Sequence, residues 1–191
     1  MAAQEGIPFI VDETKIGLGS SGKMWSHEHW YLNSNDGGCA DIMTFAGKTG
    51  ISGFYSTVDY RVDAHCCAFE QHVDMVRLMN FGAIWKEIQY RGLLELVQDT
   101  SSFLKIELGN VSRDHLYIKN VRGNGTYLGF DLDDQRVTDS MMSWLNKSGV
   151  HCARVGPRTI GLRPALILGP THAAPLREAL KNFHPNHVNY K

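Results

Sequence analysis

The sequence predicts an α/β protein on three observations. Two short apolar runs near the N-terminus end in polar or small residues, as buried strands do. Residues 72–108 carry apolar side chains at helical spacing. The last third of the chain alternates strand-like and helix-like segments. We therefore expect strands first, then a helical connector, then a mixed unit, with a change of domain between about residues 60 and 110.

The first strands are predicted by apolar runs. Residues 7–11 precede an acidic pair, and residues 41–46 precede Gly47. The segment 52–62 follows and predicts a hairpin or an edge strand. Between the two apolar runs, NSNDGG at residues 33–38 predicts a turn.

The remaining elements follow from helical spacing and turn residues. The stretch 72–108 predicts two helices with a break near Gly82 or Gly92. Residues 117–132 predict two strands around a Gly-Asn-Gly turn. For the C-terminal part the patterns predict, in order, a helix over 139–147 closed by Gly149, strands over 150–155 and 159–168, and a helix over 172–183.

Composition excludes several classes of protein. The chain has 191 residues, of which 43% are hydrophobic, and this length is enough for one core or for one core plus part of another. The net charge is -1. That charge favours neither nucleic acid nor an anionic membrane, and no apolar stretch approaches the roughly 18 residues of a bilayer span. The four cysteines form no Cys-x-x-Cys pair, which indicates a reducing compartment.

Residues 17–23, GLGSSGK, come close to a phosphate-binding loop. Such a loop needs Ser or Thr after its lysine, but Met24 follows Lys23, and the loop begins five residues after Asp12 rather than directly at a strand end. We expect a flexible connector. Nucleotide binding is the alternative, and it predicts that Lys23→Ala abolishes binding of ATP.

Two histidine and cysteine clusters invite a metal interpretation. His27 and His29 are two residues apart and have no third ligand at a suitable spacing, so we expect them to pack rather than to bind a metal. The adjacent Cys66 and Cys67 are expected to be buried apolar groups.

An acid and an amine follow the two predicted strands. Ligands collect beyond the carboxyl ends of strands in α/β sheets, where both Asp12 and Lys48 fall. A lysine held between small residues suits the aldehyde of pyridoxal phosphate, which also needs a carboxylate beside its ring nitrogen. Spacing alone leaves an alternative, in which the acidic strand end faces solvent.

The amino-acid sequences around Asp12 and Lys48 resemble those of a known protein family. FIVDE, SGKMWSHEHW and DIMTFAGKTGISGF resemble the class III (fold type I) pyridoxal-phosphate aminotransferases, most of all those acting on 4-aminobutyrate. VRGNGTYLGFDL, NKSGVHC and IGLRPALIL continue the resemblance in the same order, so it covers nearly the whole chain.

The resemblance implies a fold and a set of site residues. It implies the C-terminal part of the large cofactor-binding domain over residues 1–75 and the small α/β domain with its connecting helix over residues 76–191. Asp12 would then be the partner of the pyridine nitrogen and Lys48 the Schiff-base lysine, which also moves the proton between substrate and cofactor. Arg163 would bind substrate carboxylate, with a strand-end salt bridge as the alternative. Glu13 would not contact the cofactor and would at most support the residues that do.

The implied activity is transfer of the amino group of 4-aminobutyrate, or a similar omega-amino acid, to 2-oxoglutarate, giving succinate semialdehyde and glutamate. The implied cofactor is pyridoxal 5'-phosphate, and the implied assembly is a homodimer without nucleic-acid or membrane partners. Relatives imply a mitochondrial location, although the chain itself shows no import signal; a cytoplasmic location is the alternative.

Three positions depart from the family pattern. Lys15 replaces a glutamine that contacts the ring hydroxyl, so this cation either takes over that contact or points away from it. FEQHVDMV, with Gln71, stands where the family has a Gly-Asp-Pro segment whose threonine reaches the phosphate of the neighbouring subunit's cofactor. Gly161 reduces the family's double arginine to Arg163 alone.

The family's first half, including its phosphate loop and ring-stacking aromatic residue, has no counterpart in the chain. We therefore expect a C-terminal portion, a truncated isoform or an incomplete gene product. An inactive remnant that only associates with full-length aminotransferase subunits is the alternative function.

Overall fold

The computed structural model describes residues 5–31, 39–63 and 74–184. The chain divides into two compact units: Met1–Gly19 with Lys23–Leu93, and Ser20–Gly22 with Leu94–Lys191. The division at Leu93 lies inside the interval 60–110 in which a change of domain was expected. The finer assignment of domains to residues 1–75 and 76–191 stays a prediction.

The first unit contains a three-stranded sheet. Strands β1 (Ile10–Asp12) and β2 (Ile42–Phe45) are parallel, and β3 (Gly53–Ser56) pairs antiparallel with β2, so the order is β1-β2-β3. Both apolar runs are strands as predicted, and β3 is an edge strand. Short 3₁₀ turns occupy Ser26–Trp30 and Val58–Tyr60. The predicted turn at 33–38, as well as Cys66, Cys67 and Gln71, lies outside the described residues.

Helix α1 (Met75–Tyr90) follows the sheet. Its N-cap is Asp74, whose carboxylate accepts hydrogen bonds from the amides of Val76 and Arg77. Of the two predicted break points, Gly82 lies inside α1, and the break occurs at Gly92, which has a φ of +57°. Helix α2 (Leu93–Asp114) starts directly after it.

The second unit is a four-stranded antiparallel sheet with helices. Its further elements are β4 (Ile118–Asn124), β5 (Tyr127–Leu132), α3 (Gln135–Lys147), β6 (Ala153–Arg154), β7 (Thr159–Leu162) and α4 (Pro170–Lys181). The strand order is β4-β5-β7-β6. The hairpin β4–β5 turns at Gly125 and Thr126, whereas Gly123 and Asn124 of the predicted Gly-Asn-Gly turn belong to β4.

Several predicted elements differ in extent. Strand β1 covers Ile10–Asp12 rather than 7–11, and helix α4 covers Pro170–Lys181 rather than 172–183. Helix α3 begins earlier than 139, because the Asp134 carboxylate accepts a hydrogen bond from the Val137 amide and caps the helix. Strand β7 ends at Leu162 rather than at 168, since Pro164 lacks an amide hydrogen for the ladder. Only Ala153–Arg154 of the predicted strand 150–155 pairs with β7.

The core of the second unit is built from alternate residues of the strands and from one face of each helix. Every second residue of β5 is buried, as expected for a strand that packs on one side. The fully buried residues of this core include Val111, Phe130, Met141, Leu145 and Ile160. Across the described residues, no helix is both long and apolar enough to cross a bilayer.

Candidate active site

Asp12 is the last residue of β1, and its register partner on the parallel strand β2 is Thr44. The Asp12 carboxylate accepts two hydrogen bonds at Oδ1: one from the Thr14 amide at 2.9 Å and one from the Thr44 hydroxyl at 3.0 Å. The side chain is exposed to solvent. The sheet therefore presents an anchored acid at the carboxyl end of its first strand.

Hydrogen bonds keep this acid ionised. The hydroxyl and amide of Thr14, followed by the hydroxyl of Thr44, lower the pKa of Asp12 below its ordinary value because they favour the charged form. The positive charge of Lys15 lowers this pKa further. Lys15 is exposed, and its charge acts on the Asp12 carboxylate.

Lys48 lies just beyond the end of β2. The Gly50 amide donates a hydrogen bond to the Gly47 carbonyl at 2.8 Å, which closes a turn with Lys48 and Thr49 at its two central positions. Gly47 has a φ of +105°, a conformation that favours glycine. The turn therefore fixes the lysine directly after the strand.

Burial acts on the Lys48 amine although the side chain as a whole is exposed. Surrounding protein atoms desolvate the ammonium group and lower the pKa of Lys48. A larger fraction of the amine is therefore neutral at a given pH. The structure thus places an ionised carboxylate and an amine of lowered pKa after neighbouring parallel strands.

Glu13 and His27 form a structural pair beside this site. Glu13 is 2% exposed, and its Oε1 accepts a hydrogen bond from the His27 amide at 2.7 Å and lies 2.9 Å from His27 Nδ1. His27 thus packs as expected. Within the described residues there is no group of three or more His, Cys, Asp or Glu side chains able to hold a metal ion.

The glycine loop is not the flexible connector that the sequence suggested. Residues 17–22 are all buried, and the Gly17 amide donates to the Glu13 carbonyl at 2.9 Å. The Lys23 ammonium contacts the Glu28 carbonyl at 3.3 Å and lies 5.1 Å from the centre of the Tyr31 ring. These contacts favour a structural role for the loop over phosphate binding.

Part of this loop belongs to the second unit, which sequence reasoning missed. The Ser20 carbonyl accepts hydrogen bonds from the amide and hydroxyl of Thr126 at 2.7 and 3.2 Å. The Gln98 side chain donates to the Gly22 carbonyl at 2.7 Å. The only hint in the sequence was the glycine before Thr126. The structure explains this glycine, because a Cβ at Gly125 would lie 1.9 Å from the Ser20 oxygen.

Arg163 lies in the second unit, directly after β7, whereas Asp12, Lys15 and Lys48 lie in the first. Its guanidinium stacks 4.5 Å from the centre of the Tyr127 ring, a cation–π contact. The described residues provide no salt bridge for Arg163. It borders a cavity of about 360 Å³ lined mainly by apolar side chains together with His151 and His172.

Comparison with known proteins identifies the family. Residues 1–183 match the family model described as aminotransferase class III. The 4-aminobutyrate aminotransferase of Dictyostelium discoideum is 35% identical over 171 residues, which are 88% of this chain and 34% of that protein. The mitochondrial 4-aminobutyrate aminotransferase of Sus scrofa is 30% identical over 175 residues, with coverages of 91% and 34%.

A solved structure agrees with the fold. The lysine aminotransferase of M. tuberculosis superposes with a TM-score of 0.80 at 20% identity, covering 94% of this chain and 42% of that one. The fold is therefore α/β, of the fold type I transaminases, as the sequence predicted. The family and these structures imply pyridoxal 5'-phosphate as cofactor. The chain spans about a third of the length of the curated relatives it matches, and it belongs to the class III aminotransferases.

Proposed function

We propose that this chain carries the lysine and the aspartate of a transaminase that moves the amino group of 4-aminobutyrate, or a similar omega-amino acid, to 2-oxoglutarate. The products are succinate semialdehyde and glutamate. The supporting observation is the placement of an ionised Asp12 at the end of β1 and of the Lys48 amine just after β2, its parallel neighbour. The choice of substrate follows the two relatives named above.

The chemistry of these side chains fits pyridoxal phosphate. A carboxylate of lowered pKa accepts a hydrogen bond from a protonated ring nitrogen, and an amine of lowered pKa is a better nucleophile for an aldehyde. Thr49, the residue after Lys48, has a buried hydroxyl for which the described residues supply no hydrogen-bond partner. When bound, the cofactor supplies an electron sink for the substrate carbon.

Asp12 and Lys48 have distinct roles in this proposal. Asp12 keeps the ring nitrogen protonated, because its own pKa is held below its ordinary value and it stays an acceptor at neutral pH. Lys48 would hold the aldehyde group of the cofactor through Nζ. Its amine, with a pKa lowered by burial, would also be the group that takes up and returns the proton of the substrate carbon.

The remaining assignments extend the same proposal. Arg163 binds a substrate carboxylate, for which a guanidinium offers two parallel donors. Lys15 contributes positive charge beside Asp12, where it assists in holding the cofactor. The protein acts as a homodimer in the mitochondrial matrix, in keeping with the location named for the Sus scrofa relative.

Reductive trapping tests the assignment of Lys48. The chain is incubated with pyridoxal phosphate and borohydride, digested, and mapped for the modified peptide. We expect label on Lys48 in the parent chain, none on that peptide in Lys48→Ala, and unchanged labelling of Lys48 in the control Lys23→Ala. Absence of label on Lys48 at saturating cofactor would refute the assignment. The Lys23→Ala chain also tests the nucleotide alternative, which requires the parent to bind ATP and this variant not to bind it.

The second candidate is an inactive remnant that associates with full-length aminotransferase subunits. It is favoured by the exposed apolar residues of the first unit, such as Ile10 and Phe54. It predicts no cofactor label on Lys48, together with co-elution of the tagged chain with a full-length class III aminotransferase in size-exclusion chromatography. Label on Lys48 in the isolated chain would contradict it.

A further inference from the structure

Thr44 is the point at which β2 holds the acidic end of β1. Its hydroxyl donates to Oδ1 of Asp12 at 3.0 Å, and its carbonyl accepts a hydrogen bond from the Glu13 amide at 2.9 Å. The two strands are parallel with Asp12 and Thr44 as register partners. One residue of β2 therefore fixes both the side chain of Asp12 and the backbone that follows it.

The geometry of a strand threonine makes this contact reproducible. The hydroxyl oxygen is bonded to Cβ, so once the strand backbone is fixed a single χ1 angle places it, in threonine and in serine alike. The Thr14 amide donates to the same Oδ1 from the loop after β1. Two donors from different segments thus converge on one oxygen, and an anchored oxygen sets the rotation of the whole carboxylate.

We propose that Thr44 is a positioning residue, whose hydroxyl holds the Asp12 carboxylate in the rotation in which it receives the ring N–H of the cofactor. The inference rests on the proposed function for the identity of the group that Asp12 receives. Thr44 acts through Asp12 alone, by limiting the rotation of the carboxylate and by stabilising its charge. A hydroxyl at position 44 is required, and the methyl group of threonine is not.

The other groups around Asp12 do not mask the effect of the Thr44 hydroxyl on the pKa of Asp12. The hydroxyl and amide of Thr14 and the positive charge of Lys15 also favour the ionised carboxylate, and they remain when Thr44 is changed. Removing the Thr44 hydroxyl therefore shifts the pKa of Asp12 upward, towards its ordinary value, without removing the other interactions.

The first measurement needs no cofactor. The Asp12 carboxyl is titrated by carbon NMR in the full chain and in three variants: Thr44→Val, Thr44→Ser and the control Thr57→Val. Thr57 lies in the same unit, and its hydroxyl makes no capping hydrogen bond to the turn that follows it. We expect a higher Asp12 pKa in Thr44→Val only, with Thr44→Ser restoring the parent value.

The second measurement is a titration with pyridoxal phosphate. We expect Thr44→Val to raise the dissociation constant by roughly threefold to tenfold, the range typical of one lost hydrogen bond, and Thr44→Ser and Thr57→Val to leave it unchanged. Circular dichroism verifies that each variant is folded, and Thr44→Ala replaces Thr44→Val if the latter does not fold.

The two measurements separate this inference from the proposed function. An Asp12 pKa that is the same in Thr44→Val as in the parent overturns the role of Thr44, whether or not the cofactor binds. A parent chain that binds no cofactor overturns the proposed function, while a raised Asp12 pKa in Thr44→Val still supports Thr44 as the residue that holds Asp12.

Discussion

The two units of the chain differ in how completely they enclose their apolar residues. The second unit has a continuous core in which Phe130, Met141, Leu145 and Ile160 are fully buried. In the first unit Val11 and Met43 are buried beneath the sheet, but the opposite face leaves Ile10 56% and Phe54 47% exposed. The start of α1 exposes four further apolar side chains: Met75, Val76, Leu78 and Met79.

This difference separates the main source of stability from the proposed site residues within one chain. Burial of apolar area is the main source of folding free energy, so the second unit supplies most of it. Asp12 and Lys48 lie in the unit with less enclosed surface, at strand ends reached by solvent. Exposed apolar patches of this kind commonly mark contact surfaces of proteins.

The largest expected effect tests the contrast in packing. Phe130→Ala removes a fully buried ring from β5 and should lower the free energy of unfolding by about 3–5 kcal/mol. The matched control Phe54→Ala removes a ring that is 47% exposed on β3 and should cost less than about 1 kcal/mol. Urea denaturation followed by circular dichroism measures both. Equal losses in the two variants would show that the units are enclosed to the same degree.

A somewhat smaller effect tests how the second unit holds residues 20–22. Gly125 has a φ of +58°, and a Cβ there would lie 1.9 Å from the Ser20 oxygen. Gly125→Ala should therefore cost about 2–4 kcal/mol, the sum of an unfavourable backbone conformation and a displaced chain. Thermal or urea denaturation measures this loss.

Gly149→Ala is the matched control for that prediction. Gly149 has a φ of +77°, but nothing lies within 4 Å of a Cβ built on it. This variant should show only the backbone cost, about 1–2 kcal/mol. If the two alanine variants lose the same stability, close packing of residues 20–22 against Gly125 contributes nothing.

The smallest effect compares two acids of lowered pKa, one in each unit. Asp131 is paired with Arg122 and accepts further hydrogen bonds from Thr159 and Asn120, and these partners lower its pKa from 3.8 to about 2. Because the folded pKa lies below the unfolded one, Asp131 stabilises the fold above pH 3.8, and this contribution is lost as the pH falls through about 2. Solvent exposure of the pair keeps the contribution small.

Asp131→Asn should therefore be less stable than the parent at neutral pH, and the difference should shrink between pH 3.8 and about pH 2. Urea denaturation at several pH values measures it. A difference that stays constant down to pH 2 would show that the charge of Asp131 is not the stabilising property. Asp12 differs from Asp131 in that its hydrogen bonds come from threonines, and among the described residues no guanidinium is paired with it.

The sequence predicted those elements that are determined by residues within or next to the element itself. The run of apolar residues predicted β2, Gly92 was one of the two glycines predicted to break the helices, and Gly125 of the Gly-Asn-Gly sequence begins the β4–β5 turn. The start of α3 was missed because residues 135–138 are mostly polar, although Asp134 is a typical N-cap residue.

Features that depend on distant partners were not predictable in this way. The glycine loop was expected to be flexible because its sequence is rich in glycine and serine, yet the Ser20 carbonyl is bound by Thr126, which is 106 residues away. Asp12 and Lys48 were predicted as site residues from their positions after strands, and that assignment stays a prediction. The role proposed for Thr44 follows only from the strand register, since a threonine in a strand has no distinctive sequence pattern.

The passage of residues 20–22 through the second unit limits how this protein can be recombined with its relatives. An exchange of residues 94–191 alone would introduce the hairpin and helix of a relative while keeping the native residues 20–22. The carbonyls of Ser20 and Gly22 would then lose the donors Thr126 and Gln98 that bind them in this chain. A functional chimera has to transplant both stretches together, because the second unit is a single structural module encoded by two separate pieces of the polypeptide.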